Sequence, residues 1–122
     1  MILVDTSVWI DHLRKGDARL IKLLHDAQVL THPFVVGEIA LGQLRQRREI
    51  LEGLQNLPMS SLASDPEVLS YIETRRLGGT GIGYVDAHLL ASASLTPGTR
   101  IWTRDKRLKA AAHSLNLVDT EG

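Results

Sequence analysis

The chain of 122 residues has no cysteine, so it can form neither a disulfide framework nor a thiolate metal site. It also lacks a long apolar run. The opening MILVDTSVW has no cationic segment followed by a hydrophobic stretch, so we expect neither a secretion signal nor a membrane span, and a cytoplasmic location. Only five residues are aromatic, which disfavours extended stacking on nucleic-acid bases.

The chain also has no excess of either charge, with 14 basic and 14 acidic residues. Taken alone, this balance argues against a nucleic-acid partner. If a metal neutralised four of the acids, however, ten would remain against 14 cations, a surplus of four positive charges. Ten of the cations are arginines, several of them grouped at 45–48, 75–76 and 104–109. The guanidinium of arginine can donate two parallel hydrogen bonds to phosphate oxygens. For each group, a solvated helix face is the equal alternative.

Short apolar segments alternate with helical patterns along the chain. Strands are predicted at 2–4, 29–30 and 100–103, with weaker candidates at 58–60 and 116–118. Helices are predicted at 5–15, around 20–24, and at 33–44, 47–56, 64–77, 84–95 and 105–115. This alternation predicts an α/β fold with a parallel sheet and helices on both faces. The length indicates one domain, 1–122, with no separate substrate-binding domain.

Four carboxylates stand at or near predicted helix starts: Asp5, Glu38, Asp86 and Asp105. Three of them follow the apolar runs MILV, IGYV and IWT. Loops at the carboxyl ends of parallel strands share one edge of a sheet, so these acids are expected to converge. Converging carboxylates repel unless a cation lies among them. Hard oxygen ligands without cysteine favour Mg²⁺ or Mn²⁺, and such sites commonly handle phosphate.

Each of these acids also has a purely structural interpretation. Asp5, Asp86 and Asp105 are each placed to cap a helix, and Asp105 has Lys109 four residues on as an ion-pair partner. Glu38 is the only charge in the apolar PFVVGEIALGQL, where a buried carboxylate needs a metal or an arginine. Nine of the ten other acids lie in polar surface patterns, turns or caps: Asp11, Asp17, Asp26, Asp65, Asp119, Glu49, Glu52, Glu67 and Glu73.

Neither the histidines nor the glycine-rich segment supplies a competing site. No two histidines have the i, i+4 spacing of a zinc helix, and His88, two residues after Asp86, should point to the opposite side of its helix. The segment 78–83, GGTGIG, has no strand before it and lacks the GxGxxG spacing of a dinucleotide loop. We expect a mobile rim that admits substrate, or a plain turn.

Four motifs in this order strongly resemble the PIN-domain ribonucleases, in particular the compact VapC-type toxins of bacterial toxin–antitoxin pairs. They are LVDTSVWIDHL, THPFVVGEIALGQL, GIGYVDAHLLASA and WTRDKRL. The resemblance covers essentially the whole chain. It implies a three-layer α/β/α sandwich with a central parallel sheet, and Mg²⁺- or Mn²⁺-dependent endonucleolytic cleavage of RNA.

The resemblance also implies roles for individual residues. Asp5, Glu38, Asp86 and Asp105 match the acidic quartet that holds the metal, and Thr103 matches the hydroxyl residue usual before the last acid. Thr6 and Ser7 match the small polar positions after the first acid, and either is a candidate to face the metal.

The implied partners are RNA and a small cognate antitoxin of the VapB type. The apolar surplus around 34–44 fits a partner or a homodimer contact, with ordinary core packing as the alternative. Two related alternatives are an RNA-processing PIN nuclease without an antitoxin and a non-catalytic PIN module that binds RNA or protein. A haloacid-dehalogenase-type phosphatase expects a second aspartate where Ser7 stands, and a receiver domain expects a late lysine in place of Asp105.

Overall fold

Three short apolar segments form the central sheet of the protein. A computed structural model describes residues 1–121, with strands β1 (Ile2–Val4), β2 (Val29–Leu30) and β3 (Arg100–Trp102). Each strand buries its last two residues. Such nearly continuous burial is expected of parallel strands covered on both faces.

Seven helices connect and cover these strands in the described part of the chain. They are α1 (Thr6–Lys15), α2 (Ala18–His25), α3 (Pro33–Ala40), α4 (Arg47–Gln55), α5 (Asp65–Thr74), α6 (Tyr84–Ser94) and α7 (Lys106–Ser114). The predicted α/β/α fold with a central parallel sheet is confirmed. Within residues 1–121, no helix is long and apolar enough to cross a membrane.

The strand order is β2-β1-β3, and both pairings are parallel. The pairs Ile2–Val29 and Val4–Trp102 define the register of β1 against its two neighbours. The two weaker predicted strands are reduced to single parallel bridges, Thr31 with Met59 and Ile101 with Val118. These bridges extend the parallel pairing beyond the three named strands.

Two helices end earlier than predicted, each for a local reason. α3 stops at Ala40, short of the predicted position 44, and the guanidinium of Arg47 donates to the carbonyl groups of Ala40 and Gly42. These bonds satisfy carbonyls left free at the helix end. α5 stops at Thr74, because Arg76 adopts a left-handed conformation (φ 55°) that a helix cannot continue through.

The parallel pairing of β1 and β3 positions the candidate site. Because these strands are neighbours, their carboxyl ends open side by side into the starts of α1 and α7. The backbone N–H of Asp5 donates to the Trp102 carbonyl at 2.9 Å, so hydrogen bonding continues past the end of β1. Asp5 and Thr103 therefore lie on adjacent turns although 98 residues separate them in sequence.

Asp119 is not on the surface, although the sequence pattern predicts a surface or turn position for it. Asp119 is only 7% exposed and forms a bidentate ion pair with Arg19 of α2, whose guanidinium also stacks on Trp102 at 4.6 Å. The partner comes from a distant helix, and no local pattern indicated it. The pair joins the C-terminal segment to α2 near β3.

Candidate active site

Asp5 is the most enclosed of the four candidate acids, with 6% of its surface exposed. Its Oδ2 accepts hydrogen bonds of 2.7 Å from the hydroxyls of Ser7 and Thr103, and a longer bond of 3.4 Å from the Ser7 N–H, which caps α1. Among the described residues, no hydrogen bond reaches Oδ1. One oxygen thus satisfies the helix start, while the other remains available for a further partner.

Two hydroxyl groups join the turns that follow β1 and β3. The hydroxyl of Thr103 accepts from the Asp105 N–H at 3.0 Å while donating to Asp5. The hydroxyl of Ser7 likewise accepts from the Arg104 N–H at 2.9 Å. Each hydroxyl therefore links Asp5 to the backbone of the opposite turn and holds the carboxylate in one orientation.

Glu38 lies on an exposed side of α3, not within its buried face. The expectation of a buried carboxylate needing a metal or an arginine is therefore wrong on burial: Val35 and Ile39 fill the core side of this helix. Oε1 of Glu38 accepts from the Thr6 hydroxyl at 2.8 Å. Thr6 and Ser7, which the sequence left as alternatives, thus contact different acids.

Asp86 is half-buried in the first turn of α6, and the other three acids act on it electrostatically. Burial and then the charge of Asp5 raise the pKa of Asp86 from 3.8 to about 6; Asp105 and Glu38 add to the rise, and the Gly83 backbone opposes it. Like charges raise a carboxyl pKa only when they are close enough to repel it. Asp5, Asp105 and Glu38 therefore lie near enough to Asp86 to act on its charge, although burial is the larger cause of the rise.

Asp105 is exposed and caps α7, with Oδ1 accepting from the Leu108 N–H at 2.9 Å. No ion pair between Asp105 and Lys109 forms in the described part of the chain. The capping interpretation of Asp105 is thus observed. It leaves the second carboxylate oxygen without a bond to the helix.

The side chains, as oriented, do not close around a common point. Among residues 1–121, no three His, Asp or Glu side chains form a group that could hold a metal ion. Repulsion between like charges favours such separation. The donor set itself fits a hard divalent cation, because it consists of carboxylate oxygens with neighbouring hydroxyls and contains no soft ligand. A cation would replace the repulsion with attraction.

Arg104 is an internal link that the sequence pattern missed. Its guanidinium donates to Asp11 at 2.8 Å and to Asp17 at 2.7 Å, and it lies over the ring of Trp102. The hydrogen bond from Leu20 N–H and the nearby Arg104 lower the pKa of Asp17. Arg104 thus ties the turn carrying Asp105 to α1 and the start of α2, and the only sequence signal was its position beside Asp105.

His88 points away from the four acids, as expected from its position. It is 3% exposed, and its Nε2 lies 2.9 Å from Oδ1 of Asp65, at the start of α5. Asp65 is exposed, as expected, but it is not the cap of α5; Ser64 caps that helix, in a capping box with Glu67. The cations Lys106 and Arg107 are exposed on the first turn of α7, next to Asp105.

A parallel sheet covered by helices is the fold implied by the sequence resemblance, and comparison with known proteins agrees. The PIN domain family model matches residues 2–114, so the chain belongs to the PIN domain family. It is 55% identical, over 111 residues, to Ribonuclease VapC32 from two strains of Mycobacterium tuberculosis, CDC 1551 / Oshkosh and ATCC 25618 / H37Rv. The match covers 91% of this chain and 90% of each relative. The predicted VapC-type membership is confirmed.

Burial and like charges at Asp86 predict a pH-dependent gain in stability for Asp86→Asn without metal. The pKa of this carboxyl is higher in the folded state than in the unfolded state, so ionisation destabilises the fold as pH rises from about 4 to 6. Asparagine removes that cost, on the order of 1–2 kcal/mol after solvent screening. In EDTA, urea unfolding should show the variant more stable than wild type at pH 7.5, with little difference at pH 4.

Asp26→Asn, at the exposed end of α2, serves as the control and should show no such gain. Equal stability of wild type and Asp86→Asn at pH 7.5 would contradict the raised pKa of Asp86 in the folded protein.

Proposed function

We propose that this protein is a divalent-metal-dependent endoribonuclease and the toxin of a type II toxin–antitoxin pair. The observation that carries the proposal is the placement of Asp5 and Asp105 side by side, at the ends of the paired strands β1 and β3 of a PIN domain. In support, burial and the charges of Asp5, Asp105 and Glu38 raise the pKa of Asp86. The 55% identity to a protein named Ribonuclease VapC32 supports RNA as the substrate. Hydrolysis needs no covalent intermediate in such a site.

Asp5 and Asp86 are the principal metal ligands in this proposal, and Glu38 and Asp105 complete the shell or orient the attacking water. When bound there, Mg²⁺ or Mn²⁺ supplies a water of lowered pKa and neutralises charge on the phosphate and the leaving oxygen. The chain itself fixes the ligands: Ser7 and Thr103 orient Asp5. Thr6 restrains Glu38 in the same way.

Substrate binding draws on charge near the acids. Lys106 and Arg107 lie beside Asp105 at the start of α7, where the N-terminal dipole of the helix also favours a phosphate. Cations there offset repulsion between the acidic cluster and the RNA backbone. Binding that rests on phosphate contacts weakens as salt rises. Arg104 and Arg47 each donate two internal hydrogen bonds and do not belong to this group, whereas Arg107 makes a single bond of 3.4 Å, to the Gly81 carbonyl.

The proposed partners are a VapB-type antitoxin and a second copy of the chain, in the cytoplasm. Exposed apolar side chains on and beside α3 support a partner surface there, with Leu41 90% and Phe34 39% exposed. Val35 and Ile39 are instead core residues, so the apolar surplus of this segment divides between packing and exposure. An RNA-processing nuclease without an antitoxin is the nearest alternative, and a non-catalytic module is the next.

Replacing Asp5 by Asn should abolish cleavage while leaving the fold intact. The substitution preserves the shape of the side chain but removes the charge that holds the metal, so we expect a loss of at least about a hundredfold in rate. Purified wild type should cleave bulk RNA with Mg²⁺ or Mn²⁺, stop in EDTA and recover when Mn²⁺ is added back. Full activity in a clean Asp5→Asn preparation would refute the assignment.

Thr103→Val should weaken both metal binding and cleavage by roughly 10- to 100-fold, as expected when a group that orients a ligand is lost. The change removes the hydroxyl that joins Asp5 to the Asp105 backbone and nearly preserves volume. Thr103→Ser retains the hydroxyl and is the matched control, which should stay near wild type. Calorimetric Mn²⁺ titration and cleavage rates test both variants, and indistinguishable Val and Ser variants would show that the hydroxyl has no orienting role.

A further inference from the structure

A small cavity of about 220 Å³ lies against the first turn of α6. Its walls are apolar side chains and glycine backbone, from Ile72, Leu77, Ile82, Tyr84, Ala87 and the loop 78–83. The volume is below the roughly 300–1,000 Å³ of pockets that take drug-sized ligands. A single planar ring system is the size of group that it suits.

The cavity lies beside the starts of the two helices that carry Asp86 and Asp105. Gly83, in its wall, is the N-cap of α6, and Asp86 stands in the first turn of that helix. On the other side, Arg107 of α7 donates to the Gly81 carbonyl at 3.4 Å. The glycine loop thus spans the starts of the two helices that carry Asp86 and Asp105.

Tyr84 gives the cavity a fixed aromatic wall. Its hydroxyl donates to Asp65 at 3.0 Å, and its ring packs edge-on against His88 at a centroid distance of 4.7 Å. His88 is itself buried and bonded to the same carboxylate oxygen. Although held at two points, Tyr84 is 45% exposed. It is one of few aromatic side chains in the protein and is oriented before any ligand arrives.

The glycine loop lines the cavity with backbone atoms, because its glycines have no side chain. A Cβ added at Gly81 (φ 86°) would lie 3.2 Å from Cδ of Arg107, so this position accommodates glycine best. At Gly78 and Gly83 a Cβ would meet nothing within 4 Å. Peptide N–H and C=O groups in such a loop can pair with polar edges of a ligand whose faces contact apolar walls.

We propose that this cavity binds one unstacked nucleobase of the RNA, next to the phosphodiester that is cleaved. The proposal rests on the ribonuclease function and adds a specificity subsite to it. Single-stranded RNA is recognised by bases splayed onto aromatic side chains and hydrogen-bonded at their edges, which is the chemistry of Tyr84 and the glycine loop. One subsite gives a preference for one base, without the extended stacking that the few aromatic residues disfavour.

Methyl NMR of the metal-free protein tests the site without cleavage. The probes are the four nucleoside 5′-monophosphates, with ribose 5-phosphate as the control that lacks a base. At least one nucleotide should shift the methyl signals of Ile72, Leu77 and Ile82, and ribose 5-phosphate should not. Tyr84→Ala should weaken that nucleotide's binding roughly tenfold, whereas Tyr84→Phe retains the ring and most of the affinity. Because Tyr84 is 45% exposed and lies outside the buried core, both variants are expected to fold.

Cleavage of an RNA pool with randomised positions provides the second test. The base preference at one position beside the cleaved bond, measured as a ratio among products, should flatten in Tyr84→Ala and in Gly78→Val, which adds bulk to the cavity wall. Shifts that ribose 5-phosphate reproduces, or binding and base preference unchanged in Tyr84→Ala, would overturn the proposal. If wild type cleaves no RNA yet nucleotides shift these methyls, the ribonuclease function fails and the base site stands.

Discussion

The carboxylate of Asp5 joins the two turns on which the candidate chemistry depends. Its Oδ2 accepts hydrogen bonds from the hydroxyls of Ser7 and Thr103, one from each turn. Parallel pairing of β1 with β3 brings these turns together, and the hydroxyls then fix their relative position through the Arg104 and Asp105 backbone. The same bonds cap α1 and orient Asp5, so local stability and ligand geometry rest on one small network.

Bringing the other acids near Asp5 costs electrostatic free energy, which hydrogen bonds in the fold partly offset. Backbone N–H groups at helix starts donate to Asp5 and Asp105, and the Thr6 hydroxyl donates to Glu38. Asp86 receives the least compensation, and its pKa is raised to about 6. Residual repulsion of this kind favours binding of a cation to the folded protein, because a bound metal relieves it. The unfolded chain has no such repulsion to relieve.

Local patterns in the sequence predicted most of the fold. Apolar runs followed by capping residues located the strands and helices, and their alternation indicated the parallel sheet. The motifs around the four acids indicated the family, which the PIN domain match confirms. Features that depend on elements distant in sequence were not predictable. They include the exposure of Glu38, the hydrogen bond from Arg104 to Asp11 and the Arg19–Asp119 ion pair. The roles of the four acids remain a prediction from the sequence.

Paramagnetic Mn²⁺ provides the most direct test of the central claim that the four acids form one hard-metal site. Substoichiometric Mn²⁺ added to the isotope-labelled protein broadens the amide signals nearest the bound ion. We expect selective loss of signals around residues 5–7, 37–39, 84–87 and 103–106, with protection in Asp5→Asn. Broadening centred instead on the exposed acids of α4, Glu49 and Glu52, or unchanged by Asp5→Asn, would contradict it.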